Sequence, residues 1–264
     1  MKRICHLLVP CTFCLAVLSL PKYAFSQNVG IGTPTPSFKL DVRNGSINTD
    51  SVYRILGSTF LSANAGNTLV GFGSGESVTT GNNNVAIGDA MSYNTIGILN
   101  TAVGWNALNY NIAGSHNVAI GERTLEYNSA SNNTAVGTFA LRNNTTATFN
   151  SAFGANALSL NTTGIKNTAI GFDALSLNGV GGQNTAVGYN ALKVNSRWNN
   201  TAMGSEALAA STSSDFNSAF GSKALIQNVS GERNTAMGAY SLYGNTTGSS
   251  NTGLGFQALG GNGS

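Results

Sequence analysis

A five-residue phrase, Asn-Thr-Ala-Val-Gly and its close variants, returns every 16 or 17 residues between Asn67 and Gly255. Its opening asparagines are Asn67, Asn84, Asn100, Asn117, Asn133, Asn150, Asn167, Asn184, Asn200, Asn217, Asn234 and Asn251, with no interval skipped. Unbroken self-similarity at so short a period marks stacked units, each too small to bury a core alone. Residues committed to stacking leave little room for a sculpted catalytic cleft, so function is expected on an extended surface. The expected fold is all-β: a parallel β-solenoid, or β-roll, of 16–17-residue coils over residues 67–264, preceded by an extended lead-in over 27–66.

Counting each opening Asn as place one, place five is Gly in all twelve copies, from Gly71 to Gly255. That column predicts a bend where a side chain would clash or positive φ is needed. Place four is always large and apolar: Val70, Ile87, Val103, Ile120, Val136, Phe153, Ile170, Val187, Met203, Phe220, Met237 and Leu254. Place nine is Leu in ten successive copies, from Leu108 to Leu259. These two columns are expected to fill the interior between two short strands in each coil.

Place three is Ala in ten copies, from Ala86 to Ala236. Strand alternation sends it to the side opposite its large neighbour, and Ala191 beside Leu192 repeats the pattern on the expected second strand. Apolar residues on both faces imply burial on both sides. A coil has one interior, so the second face is expected to pack against another copy of the chain. A monomeric solenoid whose alanines meet solvent is the alternative.

The opening Asn column, and a second one at Asn111, Asn128, Asn144, Asn161, Asn178, Asn195, Asn228 and Asn245, suit turns and stacked amide ladders. Triplets such as Asn144-Thr145-Thr146, Asn161-Thr162-Thr163 and Asn245-Thr246-Thr247 fit the glycosylation acceptor pattern, but turn formation accounts for them.

Residues 1–26 differ in character. Lys2 and Arg3 precede an apolar stretch from Leu7 to Leu20, then Ala24-Phe25-Ser26, an order expected of a secretory signal peptide cleaved after Ser26. The stretch is shorter than the roughly 20 residues of a membrane span, so no span is expected in the mature chain. All three cysteines, Cys5, Cys11 and Cys14, lie in this leader, which leaves neither a disulfide nor a cysteine metal site after it. The formal charge of +3 also belongs there, because loss of Lys2, Arg3 and Lys22 leaves ten basic residues against ten acidic. A neutral chain offers no basic face for nucleic acid. The expected localisation is secreted or at the cell surface.

Chemistry is sparse. His116 is the one histidine after the leader, against a multi-histidine metal site or histidine-based triad. Asp89, Glu122, Asp173 and Glu206 follow the Gly of their copies, where other copies carry Trp105, Thr138, Tyr189 or Lys223, so no paired acid site is expected. Gly30-Ile31-Gly32 lacks the third glycine and following helix of a nucleotide fingerprint. No catalytic, cofactor-binding or metal-binding residue is assigned, and no cofactor is expected. Two surface features remain. Phe72, Trp105, Phe139, Phe172, Tyr189, Tyr240 and Phe256 line a variable edge suited to a glycan or protein ligand. Place two is Thr or Ser in ten copies, including Thr101, Thr134, Thr168, Thr185, Thr201 and Thr235. An outward Thr lattice is the feature of ice-binding solenoids, although sharing a face with the large place-four residues opposes that reading if the face is interior.

Asn-Thr-Ala-Val-Gly with a following Ala-Leu and an Asn-Thr-Thr-Gly turn, as in Ala157-Leu158 through Asn161-Thr162-Thr163-Gly164, resembles the head repeats of trimeric autotransporter adhesins over about residues 67 to 259. The resemblance implies a left-handed parallel β-roll, a homotrimer of side-by-side chains, and an outer surface that binds extracellular matrix or other cells. The commonest head repeat of that family is shorter than the one here. Asn28-Val29-Gly30-Ile31-Gly32-Thr33-Pro34-Thr35-Pro36, followed by Lys39-Leu40-Asp41-Val42, is similar to the start of tail-fibre-type surface proteins. The implied function is a non-enzymatic surface-fibre or adhesin module, with an ice-binding solenoid or a phage-type tail-fibre spacer as alternatives.

Overall fold

In the computed structural model, the described residues are 66–261 together with four preceding strands: β1 (Val29–Ile31), β2 (Leu40–Val42), β3 (Val52–Ile55) and β4 (Ser58–Asn64). The leader expected over 1–26 lies outside the described residues. The chain divides into two units, Met1–Asp50 and Ser51–Ser264. In the first, β1 and β2 pair in parallel with Val29 opposite Leu40. The lead-in is thus partly paired rather than simply extended.

The second unit is one fourteen-stranded sheet. It begins with two antiparallel pairings, β3 with β4 and β4 with β5 (Asn67–Val70). From β5 onward every pairing is parallel and in chain order: β6 (Val85–Ile87), β7 (Thr101–Val103), β8 (Val118–Ile120), β9 (Thr134–Val136), β10 (Ser151–Phe153), β11 (Thr168–Ile170), β12 (Thr185–Val187), β13 (Thr201–Met203), β14 (Ser218–Phe220), β15 (Thr235–Met237) and β16 (Thr252–Leu254). Register never slips: Ala152 lies opposite Ala135 and Ala169, and Phe153 opposite Val136 and Ile170. The expected parallel β-solenoid is the observed fold, and the described residues contain no helix.

Each coil carries one strand of three or four residues, not the expected two. The Ala-Leu segment is a run of turns in which places seven and nine take the left-handed conformation, as at Asn156 (φ 58°) and Leu158 (φ 53°). Left-handed geometry costs an L-residue roughly 1–2 kcal/mol. What it yields is direction. The N–H of Asn156 donates back to Thr138 of the previous coil, and that of Leu158 donates forward to Ala174 of the next. The same geometry turns two successive side chains, Ala157 and Leu158, into the interior.

The interior is therefore composed differently from the expectation. Place-nine leucines from Leu108 to Leu242 are fully buried, as predicted, but their partners are the place-three alanines, Ala86 through Ala236, all at 0% exposure. Place four points outward: Ile120 is 40% exposed and Met237 49%. The physical reason is the width of the coil. With a Leu on one wall the opposite wall has room only for a methyl group, and a second large column inside would overpack the core.

The Gly column does both things asked of it. At Gly171 φ is +134°, and an added Cβ would stand 2.5 Å from Gly188 O of the next coil. Both Asn columns are hydrogen-bonded and, apart from half-buried Asn251, buried. Asn167 Nδ2 donates across the coil to Gly181 O at 2.8 Å, while its Oδ1 accepts the backbone N–H of Asn184 at 3.0 Å. In the second column Asn161 Nδ2 donates to Asn144 Oδ1 at 2.9 Å and to Gly164 O at 2.9 Å. That ladder begins one coil earlier than the sequence reading placed it, at Asn94. Ser211, which bonds to Ser214, interrupts it.

Candidate functional site

Two exposed features stand out from the repeat, the outward face of the sheet and the turn edge. The outward face alternates two columns. Place four forms an apolar ribbon along twelve rungs. Its side chains range from half-buried at the valines and Phe220 to well exposed at Leu254, which leaves on the order of 800 Å² of apolar surface, the size of one side of a standard protein interface and larger than the usual patch on a monomer. Beside it, Thr134, Ser151, Thr168, Thr185, Thr201, Ser218, Thr235 and Thr252 form an unbroken hydroxyl column over eight rungs. None of these hydroxyls makes a hydrogen bond among the described residues. Both columns have the pitch of the parallel ladder, about 4.8 Å.

At the turn edge, Phe72, Trp105, Phe172, Tyr189 and Phe256 are exposed, whereas Phe139 and Tyr240 are half-buried. Phe172 stacks on Tyr189 with centroids 5.8 Å apart. The carboxylates found there in sequence do not converge. Asp173 pairs with Lys193 at 2.9 Å and Glu206 with Lys223 at 3.7 Å. Asp89 accepts from Ser92 Oγ at 3.1 Å, and Glu122 is exposed one coil beyond Trp105. Exposed pairs of this kind add little stability. His116 is exposed in a left-handed turn (φ 60°), its N–H bonded to Ile98 O.

Sequence reasoning missed a cluster in the first coils. Tyr93, Tyr110 and Tyr127 stack face to face, with centroids 5.0 and 5.2 Å apart and planes within 6°. Arg142 lies 5.6 Å over Tyr127 and donates from Nε to Glu126 Oε2 at 2.6 Å. This bond to Glu126 holds the Arg142 pKa above its usual range, against the opposing effect of burial. Arg123 lies 4.8 Å over Trp105. The tyrosines, each placed directly before the second Asn of its coil and 17 apart, were readable from the period; the post-Gly places drew attention from them.

Acceptor-like triplets gain a physical account. Asn144, Asn161 and Asn245 are fully buried with their amides donating inside the coil, so no sugar can reach them in the folded chain. A recess of about 410 Å³ at Tyr240, Tyr243, Gln257, Gly260 and Gly261 holds no carboxylate or imidazole. Among the described residues no group of His, Cys, Asp and Glu could hold a metal ion, and no helix is long and apolar enough to cross a membrane. Comparison with protein-family models, with curated proteins and with solved structures finds no match to this chain.

Proposed function

We propose that the protein is an exported, non-enzymatic surface-fibre or adhesin module that assembles as a parallel homotrimer and presents its turn edges to a ligand on cells or in the extracellular matrix. The observation that carries this reading is the apolar ribbon at place four. A ribbon with a fixed pitch is matched along its whole length only by a surface of equal pitch, and a second copy of the same array supplies one. Burying Val, Ile, Phe and Met side chains contributes roughly 25 cal/mol per Å². The aromatic edges lie beyond the strands and remain free in such an assembly. The head-repeat resemblance, which shares the Asn-initiated strand and Gly bend, supports the same reading.

Light scattering on the exported chain is expected to return three times the monomer mass. Ile120→Lys with Ile170→Lys, both outward, is expected to return the mass of a folded monomer, because a charge in the apolar seam carries a large desolvation cost. A stable monomer of the unaltered chain removes the assembly. Retention of coated beads on matrix protein or cells, lost on proteolysis of the coat, tests the adhesive role.

A second reading has its own observation, the eight free hydroxyls. They face outward, so the objection that their surface is the interior no longer applies. An ice-binding solenoid is expected to depress the freezing point below the melting point at micromolar protein, whereas an adhesin or a tail-fibre spacer shows no such gap. The uneven bulk of Phe153, Met203, Phe220 and Met237 along the same face favours the adhesin.

A further inference from the structure

The tyrosine stack has two ends, and among the described residues a cation closes only one. Beyond Tyr127 the closing group is Arg142, whose guanidinium covers the ring while Glu126 holds its Nε. The array repeats this device elsewhere. Lys223 lies 5.8 Å over Tyr240 and 3.7 Å from Glu206, and Arg233 lies 6.0 Å over Phe216 and 3.8 Å from Glu232. Rings at three different places on the outside of the array are thus finished by a cation beside a carboxylate.

At the other end Tyr93 is half exposed. Its ring faces the first coil, where the bond from Ser77 N to Ser92 O sets Ser77 in the position that Tyr93 occupies in the next. A serine is too small to cover a phenol. The column that supplies Glu126 and Arg142 supplies Glu76 in that first coil, exposed and with no hydrogen bond or ion pair among the described residues. Asp89 adds a second exposed carboxylate, bonded to the Ser92 hydroxyl next to Tyr93. Between Asn67 and Leu99 the sequence contains these two acids and no Lys or Arg. Ring and carboxylates are present, and among the described residues no cation joins them.

We infer that this end of the stack is a docking point for the guanidinium of an arginine in a basic segment of a partner protein. A planar guanidinium lies flat on an aromatic face while its edge N–H groups reach carboxylates, which a compact ammonium does less well. The acids discriminate against sulfated or uronic glycans. The inference rests on the surface-module reading for its biological sense and names the chemistry of the ligand. Three chains side by side would set three such points at one height, so a segment with several arginines gains by avidity.

The test is a titration of the full exported chain with the peptide acetyl-Gly-Arg-Gly-amide, its lysine and citrulline analogues, and maltotriose, followed by saturation-transfer NMR on the small molecule. The arginine peptide is expected to bind about tenfold more tightly than the isosteric, uncharged citrulline peptide. Tyr93→Ala should weaken it by about fivefold, and Glu76→Gln by about threefold, with the difference shrinking as salt is added. Thr163→Ala, which alters an exposed side chain away from this end, is expected to change nothing. Thermal unfolding of Glu76→Gln, a fully surface change, checks that the fold is intact. Equal binding of the citrulline peptide, indifference to Tyr93→Ala and Glu76→Gln, or a preference for maltotriose that Tyr93→Ala abolishes would each overturn the inference. A monomeric mass with an intact arginine preference would instead remove the trimer and leave this site standing.

Discussion

Asn167→Ala is expected to lower the stability of the array by about 2–5 kcal/mol, far more than removal of an exposed side chain in the same coil. The substitution deletes the donor to Gly181 O and the acceptor for the Asn184 N–H. The Asn184 N–H is left buried and unmet, at roughly 1–3 kcal/mol, and the lost bond to Gly181 O adds about 0.5–1.5 kcal/mol, since that carbonyl keeps only the bond from Asn178 Nδ2 at 2.8 Å. Thr168→Ala, next in the chain but facing outward, is expected to fall within about 0.5 kcal/mol of the parent. Thermal unfolding followed by circular dichroism separates the two. Asn167→Asp sharpens the point through pH. Its neutral acid can donate to Gly181 O and its carboxylate cannot, and burial raises the folded-state pKa of such an acid. The folded state then holds the proton more tightly than the unfolded one, so stability is greatest below the ordinary carboxylate range. It falls as pH rises from that range through the folded value. An Asn167→Asp protein no less stable at neutral pH than in mild acid would contradict the ladder.

Gly171→Ala should be among the most damaging single methyls in the array. The new Cβ would lie 2.5 Å from Gly188 O and 2.7 Å from Gly188 C, both backbone atoms that cannot swing aside, at a φ of +134°. Relief requires parting two coils, which breaks the 2.8 Å bond from Gly188 N to Ile170 O. A loss above about 4 kcal/mol is expected, the range reserved for core disruption. Gly179→Ala is the matched control. Nothing lies within 4 Å of its Cβ position. Its backbone is outside the strained region, so a change between neutral and a gain of about 1 kcal/mol is expected from the stiffer unfolded chain. Two similar unfolding curves would mean that the coils are not in contact at the Gly column.

Much of this architecture was legible because the chain says it twelve times. The Asn67 to Asn251 series fixed the rungs and their number, the Gly column located the bend, and the Leu column located one wall of the core. What misled was the strand itself. In Thr-Ala-Val the large residue is ordinarily assigned to the core, yet here Ala169 is buried and Ile170 faces out. The pattern of one strand does not report how much space the opposite wall leaves. The second strand failed for another reason. Leu175 is held at φ 51°, a conformation that side-chain preferences argue against. Hydrogen bonds to neighbouring coils impose it, and no local propensity encodes them. The functional edge was half legible. Exposed rings were anticipated at Trp105 and Tyr189, whereas the Tyr93, Tyr110 and Tyr127 stack emerges once the coils are superposed in register.

The ladder bonds of the array join residues at most 18 apart, whether Asn to Asn or strand to strand. Under tension such a thread has no distant tie to fail all at once. Each turn is gripped only by its neighbours, so a load drawn along the stack unwinds the end turn first, paying out about 55 Å of slack before the next one bears it. In the proposed adhesive role, a tethered cell would be braked step by step, and each released turn has its template waiting when the pull relaxes.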